Sequence, residues 1–92
     1  MKVTVKFWGQ IKAATGHASE TIEVEDNLTA QELVGRLAEE RGDPLRKHLL
    51  DADGKPRSSL LLVVGDDQVS WETPRKLADG DMITLLPPIS GG

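Results

Sequence analysis

The sequence predicts an α+β fold: one main helix packed across one face of a mixed sheet of four to five strands. Three observations carry this. Residues 2–8 and 19–25 alternate apolar and polar with the period of a half-buried strand. Residues 30–41 form the one long stretch with apolar positions at i, i+3 and i+4. After them come three short apolar runs, 60–64, 68–71 and 82–86, separated by Gly- and Asp-containing turns.

Taken in order, Val3, Val5 and Phe7 share one face of the first strand, with Lys2, Thr4, Lys6 and Trp8 on the other. Gly9 and Gly16 bracket a connection, and Ile22 and Val24 point inward from the second strand, so the pair reads as a hairpin with a long loop. Asp26-Asn27 ends that strand. Thr29 and Glu32 then match a capping box that opens a helix running to Arg41. Ala30, Leu33, Val34, Leu37 and Ala38 make its apolar stripe, Gly35 falls on its polar side, and Gly42 with Asp43-Pro44 stops it. Leu45, Leu49 and Leu50 predict a short helical turn that closes one end of the core. Leu60 to Val64 is apolar without alternation, which fits a strand covered on both faces or one whose outer face meets a partner. Gly65-Asp66-Asp67 turns the chain into a short strand at 68–71. Asp79-Gly80-Asp81 launches the last strand, Met82 to Leu86.

The totals narrow the function. Ninety-two residues predict a single domain, 1–92, with 87–92 as its tail. The absence of cysteine excludes disulfides, thiolate metal sites and a cysteine nucleophile. A net charge of −4 and three aromatic residues, Phe7, Trp8 and Trp71, argue against nucleic-acid binding. No segment has the length of a membrane span or the pattern of a signal peptide, which points to a cytoplasmic protein without a membrane partner. His17 and His48 stand at no metal-ligand spacing and read as solvated side chains. The Asp51-Ala52-Asp53-Gly54 turn begins like a calcium loop, but Lys55 and Leu62 fall where ligands are required. Ser58, Ser59 and Ser90 show no accompanying base. No metal site, no bound cofactor and no self-contained active site are expected.

One reactive group remains, the α-carboxylate of Gly92. It follows Pro87-Pro88-Ile89-Ser90-Gly91, a stiff exit from the last strand and then a slender end without side chains. Residues 90–92 extend about 10 Å when fully stretched, enough to enter a narrow channel on another protein. A carboxylate becomes an electrophile once an oxygen is made a leaving group, as in an acyl adenylate. Sulfide sulfur attacking that carbon gives a thiocarboxylate, itself a sulfur nucleophile. Gly91 and Gly92 leave the acyl carbon unhindered.

Leu77-Ala78-Asp79-Gly80-Asp81, a strand, and then Pro87-Pro88-Ile89-Ser90-Gly91-Gly92 closely resembles the end of the molybdopterin synthase small subunit (molybdopterin-converting factor subunit 1). Phe7-Trp8-Gly9, Ala13-Ala14 with Gly16, and the capped helix at Thr29 are similar to that family too. Lys12-Ala13 and Gly65 depart from it, where Arg-Glu and Asn are usual. The wider group is the ubiquitin-like sulfur carriers of β-grasp fold, including the thiamine-pathway carrier.

The resemblance implies a carrier that is not catalytic alone. A ubiquitin-activating-like adenylyltransferase would use ATP to adenylate Gly92, and a sulfur donor enzyme would supply the sulfur. The tail, Pro87 to Gly91, would then enter the large molybdopterin synthase subunit and deliver sulfur to a pterin precursor. Alternatives are a carrier for thiamine, tRNA thiolation or cysteine synthesis, a ubiquitin-like protein modifier, or a β-grasp binding module without carrier chemistry. Strand parity adds a partner patch beside the exit, formed by Trp8, Leu86 and one alternate set from Leu60–Val64, unless loops cover it.

Overall fold

In the computed structural model of the protein, residues 1–87 are described. The first strand, β1 (Lys2–Phe7), buries Val3, Val5 and Phe7 as its alternation requires. It pairs antiparallel with β2 (Ser19–Glu23), from Lys2 opposite Glu23 to Lys6 opposite Ser19. The strand expected at 19–25 therefore ends two residues early. Val24 still reaches the core, and Asn27 takes a left-handed turn at φ 71°.

The connection between these strands is not a loop. Gly9–Thr15 forms a short helix, α1, whose Ile11 is fully buried. The amides of Ile11 and Lys12 donate to the Trp8 carbonyl, and Gly16, at φ 78°, closes the helix by donating to the Lys12 carbonyl. The two glycines that read as loop punctuation are a helix start and a left-handed C-cap.

The main helix, α2 (Ala30–Arg41), forms as expected. The Glu32 amide donates to Thr29 Oγ1 at 3.1 Å, and the Thr29 amide donates to Glu32 Oε1 at 2.9 Å. Such a cap stabilises a helix by about 1 kcal/mol. Gly42, at φ 63°, ends it by donating to the Ala38 carbonyl. Ala30, Leu33, Val34, Leu37 and Ala38 are buried against the inner face of the sheet. Each of the larger ones contributes about 1.5–3 kcal/mol relative to an exposed side chain. A short α3 (Leu45–Leu49) then caps one end of the core with Leu45 and Leu49.

The remaining strands are β3 (Leu61–Val64), β4 (Asp67–Val69) and β5 (Met82–Leu86). The sheet runs β2-β1-β5-β3-β4, with β1 and β5 parallel and the other pairs antiparallel. This is the mixed five-stranded sheet and crossing helix of a ubiquitin-like β-grasp fold. β3 is covered on one face only: Leu62 and Val64 are buried, Leu61 is exposed and Val63 is half-buried. Trp71 lies outside β4, half-buried, and its indole Nε1–H donates to the Leu60 carbonyl at 3.0 Å. Gln31 ties the following loop to α2. Its Nε2 donates to the Ser70 and Thr73 carbonyls, and its Oε1 accepts from the Arg75 amide.

All buried side chains among the described residues are apolar. The charged groups pair at the surface instead, Arg36 with Glu25 and Arg41 with Glu20. The Arg36 guanidinium pulls the Glu25 carboxyl down to about 2 from an ordinary 4.5. Glu20 is lowered by its hydrogen bonds from Arg41, and Glu32 by the Thr29 amide of the capping box. A carboxylate lowered by folding stabilises the folded state above its unfolded pKa, and that stability is lost as pH falls toward the folded value. Acid unfolding should therefore begin below about pH 4.5 and continue toward pH 2. The loss should be modest, because these pairs are solvent-exposed. Denaturant midpoints measured against pH for the wild type and Glu20→Gln test this, since the variant should show a flatter acid limb.

Gly35 lies in the middle of α2, and a Cβ placed there would have open space around it. Gly35→Ala should thus stabilise the protein by about 0.5–1 kcal/mol, with a rise in melting temperature. A lower melting temperature by calorimetry would contradict this.

Candidate functional site

The last strand determines where the chain leaves the sheet. β5 lies between β1 and β3, with Phe7 opposite Leu85 and Leu61 opposite Leu86. Its alternation buries Ile83 and Leu85 and turns Met82, Thr84 and Leu86 to the outer face. Pro87 follows, half-buried, and lacks the N–H that would continue a ladder. The exit is thus a fixed point of the fold, set by the end of the sheet's central strand.

Gly9 sits against that exit. A Cβ on Gly9 would come within 2.9 Å of Pro87 Cγ, and the backbone there has φ 55°. Both facts favour glycine: the ring needs the space, and other L-residues enter this region at a cost. The β1–α1 junction thus forms one wall beside Pro87. In the sequence Gly9 brackets a connection and closes the Phe7-Trp8-Gly9 motif; its contact with Pro87 depends on the parallel pairing of β1 with β5.

Trp8 stands between β1 and α1 in extended conformation, with its side chain 54% exposed. It lies one step past the Phe7–Leu85 pair, level with Leu86, while Leu61 is level with Leu86 on the other side. Trp8, Leu86 and Leu61 therefore form a row across three strands beside the exit. Leu86 is half-buried rather than exposed, because it has strands on both sides. The more exposed apolar residues of this face are Leu61, at 40%, and Met82, at 41%. Sequence parity left open which residues of 60–64 face outward. Pairing with β5 selects Leu61 and Val63.

Two grooves flank the exit. Trp8, Lys6, Lys12, Ala18 and Ser19 line a shallow hollow on the β1–β2 side. On the other side, Gln10, Lys47, His48, Arg57 and Ser59 line a groove that reaches Pro87 itself. Among the described residues, no Asp or Glu lines either groove. The Glu20–Arg41 pair lies near this end, one residue from Ser19 of the hollow, while Lys6, Lys12, Lys47 and Arg57 hold no carboxylate among the described residues.

Of the residues singled out in the sequence, the structure brings Trp8, Leu86 and Pro87 together at one end of the sheet. Pro88, Ile89, Ser90, Gly91 and Gly92 lie outside the described residues. Among the described residues, no group of three or more His, Cys, Asp or Glu side chains could hold a metal ion. No helix among them is long and apolar enough to cross a membrane.

Gly9→Ala should move Pro87 and destabilise the fold by about 1–2 kcal/mol, mostly through the left-handed backbone. Denaturant midpoints measure the loss, and amide shifts at Leu86 report the displaced exit. Unchanged values for both would show that the contact has slack.

Comparison with known proteins places this geometry. The model of the ThiS family matches residues 5–92. Among solved structures, the chain is similar to SAMP1 from Haloferax volcanii, with a TM-score of 0.87, 18% identity and full coverage of both chains. A chain of the Amycolatopsis orientalis BexX/CysO complex is 25% identical, with a TM-score of 0.68, covering 98% of this chain and 99% of that one. A chain of the complex of subunits 1 and 2 of molybdopterin-converting factor from Helicobacter pylori is 31% identical over the whole of both chains, with a TM-score of 0.62. No curated protein matches.

Proposed function

Since the chain belongs to the ThiS family, among the ubiquitin-like sulfur carriers and modifiers, we propose that it carries sulfur on the carboxylate of Gly92 for molybdopterin synthesis. A ubiquitin-activating-like enzyme first transfers AMP from ATP to the carboxylate, releasing pyrophosphate. Sulfide sulfur from a donor enzyme then attacks the acyl carbon and displaces AMP, leaving a thiocarboxylate. The tail, from Pro87 through Gly91, threads into the large synthase subunit, where the thiocarboxylate sulfur bonds to a pterin precursor and water cleaves the resulting acyl thioester, leaving sulfur on the precursor and a carboxylate on Gly92. Gly91 gives clearance for both visits. The remaining chain orients the tail and supplies the surface around its root.

The observation that carries this reading is the full-length likeness, at 31% identity, to a chain of the molybdopterin-converting factor complex, joined to the Pro87-Pro88-Ile89-Ser90-Gly91-Gly92 ending. The geometry of the exit is in keeping with it. Pro87 is held by Gly9 at the end of the central strand, and Trp8, Leu86 and Leu61 offer a partner apolar contact around it. Hydrophobic rows of this kind supply the anchor residues of many interfaces. The likeness at 25% identity to a chain of the BexX/CysO complex supports a second reading, in which the same carrier chemistry serves another acceptor.

Intact mass spectrometry after incubation with the activating enzyme, ATP and a sulfur donor tests the carrier step. The expected product differs from the starting chain by one oxygen replaced by sulfur. Removal of Gly91 and Gly92 should abolish the conversion while the melting temperature barely changes, since a terminal segment adds little to folding. An unmodified wild-type chain, under conditions where a known carrier is converted, overturns the carrier reading. Co-purification with a large synthase subunit separates the molybdopterin destination from the others.

A further inference from the structure

The net charge of −4 is unevenly placed. Asp66, Asp67, Asp79 and Asp81 sit at the end of the sheet where β5 begins and β3 finishes. Asp79 Oδ1 accepts from the Lys2 amide and Asp81 Oδ2 from the Ala78 amide, so two of these carboxylates are fixed there. The opposite end, where the tail leaves, carries Lys12 on one side and Lys47 and Arg57 on the other. Among the described residues, the cations elsewhere are often paired: Arg36, Arg41 and Arg75 each hold a carboxylate. Lys12, Lys47 and Arg57 hold none.

The Lys47–Arg57 side has a defined shape. Arg57 Nε donates to the Lys47 carbonyl at 2.6 Å, which fixes the guanidinium stem against α3, and its terminal nitrogens hold no partner among the described residues. His48 and Gln10 continue the groove away from Pro87 onto a floor of Ala13, Ala14 and Pro44 between α1 and α3. The result is a pair of adjoining shallow depressions, with Lys47 and His48 common to both, and the first of them reaches Pro87.

We infer that this groove docks an acidic polypeptide segment, carrying two or more Asp or Glu side chains, of the activating enzyme that adenylates the tail. The inference rests on the carrier reading for the identity of that enzyme. The groove's charge and its continuity with Pro87 argue for the occupant. Carboxylates on a partner would meet Lys47 and Arg57 while the tail enters the partner beside them. Bidentate geometry makes Arg57 the stronger of the two contacts. The acidic pole at the far end repels the same partner surface, so the two poles turn the carrier tail-first during encounter. The cations are exposed and spread along the groove, which does not enclose a small anion.

Titration of the labelled full chain with acetylated hexaglutamate, followed by amide shifts, tests the groove directly. The expected result is saturable shifts at Gln10, Lys47, His48, Arg57 and Ser59, weakening with salt. Lys47→Glu with Arg57→Glu should weaken binding by roughly tenfold or more. Lys47→Gln with Arg57→Gln should weaken it less, and dispersed spectra show that both variants fold. The inference fails if shifts spread equally to Lys2 and Lys76, if inorganic phosphate produces the same saturation, or if the double reversal binds as well as wild type. With an activating enzyme that adenylates the wild-type chain, the double reversal should raise KM and leave kcat unchanged. An equal KM overturns the inference. Failure of the wild type to be adenylated overturns the carrier reading instead, and the peptide titration then decides the groove alone.

Discussion

The parallel pairing of β1 with β5 is the constraint on which the rest of this structure depends. Parallel neighbours cannot be joined by a tight turn, so everything between Phe7 and Met82 is the crossover that links them. That crossover must cover the inner face of the sheet, and α2 does so with its stripe of Leu33, Val34 and Leu37. Because the two strands point the same way, they also finish together. Trp8 and Gly9 therefore emerge beside Leu86 and Pro87, and two segments distant in sequence build one site.

Much of this could be read from the residues, and the reasons are local. Val3, Val5 and Phe7 declare a face by period two, and Thr29 with Glu32 declares a helix start by a reciprocal pair of hydrogen bonds. Gly42 stops the helix for a backbone reason that glycine alone states clearly. What could not be read depends on distant partners. Ile11 commits residues 9–15 to a helix because it fills a core gap that the sequence does not describe. Gly9 is required by Pro87, which lies at the other end of the chain. Gln31 holds the 70–75 loop through carbonyls whose position no local pattern announces. Leu61 and Val63 face outward because β5 pairs with β3 in one register, and an unbroken apolar run carries no sign of which parity wins.

The candidate site follows the same division. The family was legible because its signature resides in a short contiguous motif, and the proposed reacting residue lies within it. The partner row was half legible, since Trp8 and Leu86 follow from strand parity. The cationic grooves were not, because Lys12, Lys47 and Arg57 come from three separate segments and meet only in the fold. A formal charge of −4 concealed them, as a sum hides a distribution.

The placement of β5 between two ladders also has a mechanical meaning. A force drawing on the chain beyond Pro87 acts along the axis of β5, parallel to β1 on one side and antiparallel to β3 on the other. Such a load bears on both rows of hydrogen bonds in shear, so the bonds share it and none is peeled open first. An edge strand drawn away sideways would unzip one bond at a time. The fold is therefore anchored best at the place where a partner would pull.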